Sequence, residues 1–279
     1  MQKFLFYITT IIISSHLGYG ITSRSGSVGI QILSESASVQ PGKEFMMAVK
    51  FVIDKGWHIY WLNPGDSGIP TEVEWNLPEG VTISQVYWPA PQIFKSYGLV
   101  SYGYNGTLVV PVKLKAGAQA KGAIKITARA SWLVCKEKCI PGKAEASISL
   151  NTSPGEPEIN KSNRKVIDNA LSALPVVTAE WQFIATKNDN TIKISIKPPL
   201  WFGKILKMMD FIPFAGGVFS TADGKLTKLP DNSYSIEIAL DQYRTLEPEH
   251  VEALLYTGYS WVNRNKNKYI YIKIPIINN

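Results

Sequence analysis

The chain has 279 residues, of which 45% are apolar and 18% charged, with a formal net charge of +7. This globular composition excludes a disordered tail. The 21 glycines and 17 prolines lie between short apolar runs, which excludes a collagen-like or low-complexity chain.

The N-terminus reads as a secretory signal. Met1-Gln2-Lys3 is a short positive segment, Phe4 to Ile13 is an apolar run, and Gly18 and Gly20 are the small residues before a cut after Gly20. Residues 1–20 are therefore expected to be removed on export; an uncleaved anchor helix is the alternative. No cysteine lies near the cut, which argues against a lipid anchor. Beyond this segment no stretch approaches the ~20 consecutive apolar residues of a membrane span.

Residues 21–150 are β-rich. Ser27–Leu33, Glu44–Ile53, Thr107–Leu114, Ala123–Val134 and Ala144–Leu150 are rich in Val, Ile and Thr, and several alternate apolar with polar. Turn signals such as Gln40-Pro41-Gly42, Asn63-Pro64-Gly65-Asp66 and Asn105-Gly106 separate them. Short strands with frequent turns point to an immunoglobulin-like β-sandwich. Within this region Trp57-His58-Ile59-Tyr60-Trp61 alternates so that Trp57, Ile59 and Trp61 share a core face, with His58 and Tyr60 opposite. Trp88 to Gly98 carries prolines and polar residues beside Trp88, Phe94 and Tyr97, and reads as an aromatic surface loop that shields a group or meets a partner.

Asn151-Thr152-Ser153-Pro154-Gly155-Glu156-Pro157 has the composition of a linker, and Glu158–Leu174 fits a short amphipathic helix stopped by Pro175. Residues 151–178 are read as this helical linker. A second β-sandwich-like unit follows over 179–279, with strands at Trp181–Thr186, Thr191–Ile196, Ser233–Leu240 and Tyr269–Ile274. Glu249–Tyr256, after Pro248, reads as one further helix. The expected fold class is all-β: two immunoglobulin-like sandwiches joined by a short helical linker. Arg264, Lys266, Lys268 and Lys273 alternate with Tyr269 and Tyr271 as in a half-buried strand, and no nucleic-acid motif accompanies them.

Chemistry points to the two cysteines, Cys135 and Cys139. If the strands on either side form a hairpin around Lys136-Glu137-Lys138, the two residues face each other within disulfide range. A bridge closing so short a loop constrains the unfolded chain weakly, so reactivity explains the pair better than stapling does. Lys136 and Lys138 favour thiolate, with Glu137 opposing them. A cycling dithiol needs one exposed, attacking sulfur and one protected sulfur, and the sequence leaves open which is which. An inert structural disulfide and a Cu(I) site using both thiolates with Met46 or Met47 are the competing readings. A zinc site is disfavoured, because only His58 and His250 remain as further histidine ligands after signal removal. No cofactor is expected. No hydrolase elbow, zinc-protease motif or phosphate loop occurs, Gly216-Gly217 is too short for one, and Asp66 and Glu72 read as solvated acids in turns.

Trp57 to Pro70, Trp88-Pro89-Ala90-Pro91, Tyr102-Gly103-Tyr104 and Cys135-x-x-x-Cys139-Ile140-Pro141 together resemble the N-terminal periplasmic domain of DsbD-type thiol:disulfide interchange proteins. The nearer branch is ScsB, associated with suppression of copper sensitivity. The resemblance is strong over Val28–Leu150 and fainter beyond. It implies a periplasmic protein whose Cys135 and Cys139 are redox-active. Electrons would come from a membrane or thioredoxin-like donor and pass to periplasmic acceptors such as disulfide isomerases or cytochrome c maturation factors. It also implies an aromatic cap over the cysteines, with Phe94 or Tyr97 as the shield. Two departures stand out: the cysteine spacing is shorter than in the enterobacterial domain, and Asn279 ends the chain without membrane or thioredoxin-like modules. A separate membrane protein is therefore expected to supply electrons, unless the chain is a stand-alone module with altered partners.

Overall fold

A computed structural model describes residues 22–263 and 266–278. The signal-like segment 1–20 and Arg264 lie outside the described residues. The first half consists of β1 (Thr22–Ser25), β2 (Val28–Ser34), β3 (Ser38–Val39), β4 (Glu44–Ile53), β5 (His58–Gly65) and β6 (Glu72–Asn76). It continues with β7 (Val81–Val86), β8 (Gln92–Ser96), β9 (Leu99–Asn105), β10 (Thr107–Ala116), β11 (Ala123–Cys135) and β12 (Cys139–Thr152). Helix α1 (Lys161–Ser172) follows. The remaining strands are β13 (Gln182–Asn188), β14 (Thr191–Lys197), β15 (Asp210–Pro213), β16 (Lys225–Lys228), β17 (Tyr234–Ala239), β18 (His250–Tyr256) and β19 (Tyr269–Asn278).

Two sheets face each other in the first half. One has the order β1-β2-β4-β10-β7; the other runs β3-β12-β11-β5-β9-β8, with β6 also paired to β11. The period-two pattern of β4 buries Phe45, Met47, Val49, Phe51 and Ile53, while β11 buries Ile124, Ile126, Ala128, Ala130, Trp132 and Val134. Phe51 and Trp132 meet edge-on across the interior, with centroids 6.0 Å apart. The sandwich expected from alternation is present.

Helix α1 covers the outside of the five-stranded sheet. Its buried Ile167 packs on Leu33 and Ala48, flanked by Val166 and Leu171. It begins at Lys161 rather than near Glu158 because the Asn160 side chain accepts the Asn163 amide at 3.1 Å and caps it there. The Asn160 amide in turn donates to Glu35 O at 2.9 Å, which fixes the helix start beside β2.

In the second half, seven strands run β15-β18-β19-β13-β14-β17-β16. Strand β19 changes partner along its length: Tyr269 to Pro275 pair antiparallel with β18, and Ile276 to Asn278 pair parallel with β13. The sheet thereby wraps around a core of Trp181, Ile194, Ile236, Leu255, Trp261 and Ile272.

Two expectations need correction. His250–Tyr256 is a strand, not a helix. Val251, Ala253 and Leu255 face the C-terminal core while Leu254 turns to the N-terminal one, so burial on both faces hides the alternation that would have marked β18. Residues 88–98 are not an irregular loop either. Their second part is β8, joined to β9 by Tyr97-Gly98, whose φ values of 51° and 79° suit a two-residue hairpin turn.

The halves share an interface. Ile212 and Leu254 enter the N-terminal core, Phe214 packs on Trp61 with centroids 4.8 Å apart, and Asn63 Nδ2 donates to Pro213 O at 2.8 Å in a buried bond. Asn63 Oδ1 also accepts the Gly65 amide at 3.0 Å. Asn63→Ala removes both bonds and strands a buried carbonyl, so it should lower unfolding free energy by about 1–3 kcal/mol in denaturant titration; an unchanged midpoint would mean that this bond does not join the halves.

Candidate functional site

The site is built by strand register. Cys135, the last residue of β11, pairs with Cys139 on one side and with His58 of β5 on the other. His58 stands opposite Asn105 and Tyr60 opposite Gly103 on β9, while Phe94 of β8 stands opposite Ser101. Directly paired residues project to the same face, so Cys135, Cys139, His58, Tyr60 and Phe94 share the outer face of the second sheet. Ile59, Trp61 and Val134 point the other way, into the core.

Cys135 and Cys139 form a disulfide, with Cα atoms 4.1 Å apart and the hairpin closed by the Lys136 amide donating to Lys138 O at 3.2 Å. The two ends differ in exposure. Cys135 is buried, at 3%, whereas Cys139 is exposed along with Lys136, Glu137 and Lys138. The Tyr60 hydroxyl donates to Cys135 Sγ at 3.2 Å. Burial pushes the Tyr60 phenol above its usual pKa, against an opposing hydrogen bond with Ser67, so it remains a proton donor at neutral pH.

Phe94 reaches the site across β9. Its ring stacks on His58, with centroids 4.7 Å apart and planes 23° from parallel, and His58 meets Tyr60 edge-on at 5.2 Å. At Gly103, beside Ser101 on that face, strands β5 and β9 approach so closely that a β-carbon would lie 2.1 Å from Ile59 O, so the position requires glycine. The loop after β5 closes the other flank. Gly68 lies against the Tyr60 ring so closely that a β-carbon would come within 2.3 Å of it, and Ser67 is 3.2 Å from Ser101, hydroxyl to hydroxyl. Burial also lowers the His58 pKa below 6.5, leaving the imidazole neutral at pH 7. Such a group binds its proton more readily when unfolded, so this contribution to stability is present above pH 6.5 and declines as pH falls below it.

Of the residues expected at the site, Cys135, Cys139 and Phe94 come together. Tyr97 does not: at the hairpin tip it is fully exposed, at 103%, so it projects away from the disulfide instead of covering it. Met46 and Met47 sit on β4 in the opposite sheet, Met46 against the helix cluster and Met47 in the core, away from the face that carries the sulfurs. Among the described residues no cluster of three or more His, Cys, Asp or Glu side chains could hold a metal ion, and no helix is long and apolar enough to cross a membrane. Alternation over residues 57–61 puts Tyr60 and His58 on one face, but nothing local in the sequence connects them to the cysteines, because the β5–β11 pairing has no local signal. Asp66 is also more than a solvated turn residue: it accepts the Val100 amide at 2.7 Å and the Thr221 hydroxyl at 2.7 Å.

Residues 31–150 match the family model for the N-terminal region of the thiol:disulfide interchange protein DsbD. Among solved structures, the N-terminal periplasmic domain of ScsB from Proteus mirabilis aligns over 90% of this chain and 94% of its own, with 15% identity and a TM-score of 0.64. That likeness carries the fold across both halves. The major pilin subunit BcpA of Bacillus cereus aligns over 90% of this chain and 70% of its own, at 9% identity and a TM-score of 0.27. The sporulation control protein Spo0M of Bacillus subtilis aligns over 90% and 91%, at 8% identity and a TM-score of 0.24. No curated protein matches the chain.

The cap geometry sets an expected outcome. In a Cys139→Ser background, Phe94→Ala should speed alkylation of Cys135 by about two- to tenfold, the equivalent of an aromatic pair worth ~0.5–1.5 kcal/mol, while Tyr97→Ala should leave the rate unchanged. Equal rates with and without the Phe94 ring would remove its shielding role.

Proposed function

We propose, for a chain whose residues 31–150 form a DsbD N-terminal domain, that it exchanges electrons with extracytoplasmic partners through Cys135 and Cys139. The observation that carries this reading is the asymmetry of the pair. One sulfur residue is exposed at a hairpin tip; the other is buried, accepts the Tyr60 hydroxyl and pairs in register with His58, on which the Phe94 ring stacks. With the proposal go residues 1–20 as an export signal, 21–150 as the exchange sandwich, 151–178 as the helical connection and 179–279 as a second sandwich-like unit.

The exposure of Cys139 and burial of Cys135 support the following division of roles. In the reduced protein, Cys139 attacks a partner disulfide as thiolate, forming a mixed disulfide and releasing one partner sulfur as thiolate, which takes up a proton. Cys135 then loses its proton and attacks Cys139 Sγ. The Cys135–Cys139 bond forms, the intermolecular bond breaks, and two electrons have passed to the partner, which leaves as a dithiol. Reloading reverses this: a donor thiolate attacks Cys139 and displaces Cys135 as thiolate, whose charge the Tyr60 hydroxyl meets. Lys136 and Lys138 at the tip favour the anionic sulfurs.

Partners in this reading are thioredoxin-like proteins and a membrane-embedded donor in the periplasm, with disulfide isomerases or cytochrome c maturation factors as acceptors. The exposed Tyr97, Leu99 and Ile140 supply apolar surface for docking. Cys135→Ala should trap a mixed disulfide through Cys139 in the exporting cell, whereas Cys139→Ala should trap at least tenfold less; equal trapping would overturn the assignment of roles. Tyr60→Phe deletes a hydrogen bond to a developing thiolate, so in the reduced protein the Cys135 thiol pKa should rise by about one unit. Thiolate absorbance against pH measures this, and an unmoved titration would exclude Tyr60 from the chemistry.

A further inference from the structure

The cap hairpin is held from behind by the C-terminal half. Lys95 follows Phe94 on β8 and therefore points to the opposite face, where its Nζ lies 2.7 and 2.8 Å from the two carboxylate oxygens of Asp223. From the same loop, Thr221 donates to Asp66 at 2.7 Å, and the other Asp66 oxygen accepts the amide of Val100, the cross-strand partner of Lys95. One short segment thus grips the hairpin directly and through the loop that flanks Tyr60. That segment has little slack: a β-carbon on Gly224 would lie 2.4 Å from the Ile238 side chain and 2.7 Å from that of Ile236, both in the C-terminal core.

We infer that the 221–223 segment is a clamp that positions the cap, with Lys95 and Asp223 as positioning residues acting on the site through Phe94. Leverage follows from strand geometry, since neighbouring residues on β8 face opposite ways. One of them engages the clamp and the other covers His58 beside the buried sulfur. The C-terminal half would then set how often the Phe94 ring leaves His58. Its value to the protein rests on the exchange reading above, but the contacts and their test do not.

Lys95 and Asp223 are 55% and 75% exposed, so the pair is screened and worth only a few-fold in an equilibrium. Asp210 also lies within electrostatic reach of Lys95, so charge reversal is a sharper probe than truncation. In the full chain carrying Cys139→Ser, Asp223→Lys should accelerate Cys135 alkylation by about three- to fivefold at low salt. Adding Lys95→Glu should return the rate to that of the parent. In a Phe94→Ala background, Asp223→Lys should add nothing. An unchanged rate with Asp223→Lys would overturn the clamp, as would an acceleration that persists without the Phe94 ring. Alkylation needs no partner, so a clamp without exchange activity and exchange activity without a clamp are distinguishable results.

Discussion

The pairing of Cys135 with two strands at once is the constraint on which the site depends. At its last residue β11 is matched to Cys139 across the hairpin and to His58 across the sheet. Because paired residues share a face, this one register decides that the disulfide, the imidazole, the Tyr60 hydroxyl and the Phe94 ring stand together. A slip of one residue would turn Cys135 into the core and bring Val134 out. The fixed alternation of β11, with Trp132 and Val134 buried and Trp132 against Phe51, makes such a slip costly. Core packing on one face thus specifies the chemistry on the other.

The same logic accounts for the asymmetry of the two sulfurs. Cys135 ends a strand that has neighbours on both sides, while Cys139 starts the outgoing strand beyond the three-residue tip. Burial of one and exposure of the other therefore follow from where the hairpin meets β5, with no separate device. What the hairpin cannot supply is cover. That comes from β8, three strands away from the cysteines in the order β11-β5-β9-β8, through the Phe94 ring stacked on His58.

How much of this was legible depended on burial. Strand β4, at Glu44–Ile53, could be read to the residue because one face is packed in the core and the pattern alternates. The cysteine hairpin was legible from spacing alone, as was the face shared by His58 and Tyr60. Strand β18 was not, because Leu254 and Leu255 are buried in two different cores. The β8–β9 hairpin was hidden by its prolines and polar residues, which left open whether Phe94 or Tyr97 is the shield; Tyr97 stands exposed in the turn. Asp66 looked like an ordinary turn acid. Its partner Thr221 is far along the chain, and nothing local announces such a contact.

The central claim is that the Cys135–Cys139 bond opens and closes as part of the protein's work. A redox titration with glutathione and dithiothreitol buffers, read by mass-spectrometric trapping of free thiols, tests it most directly. The expected midpoint lies above about −300 mV, within reach of thioredoxin-like partners. A pair still fully oxidised well below that potential would be a structural bridge, and the site described here would be a scaffold without exchange chemistry.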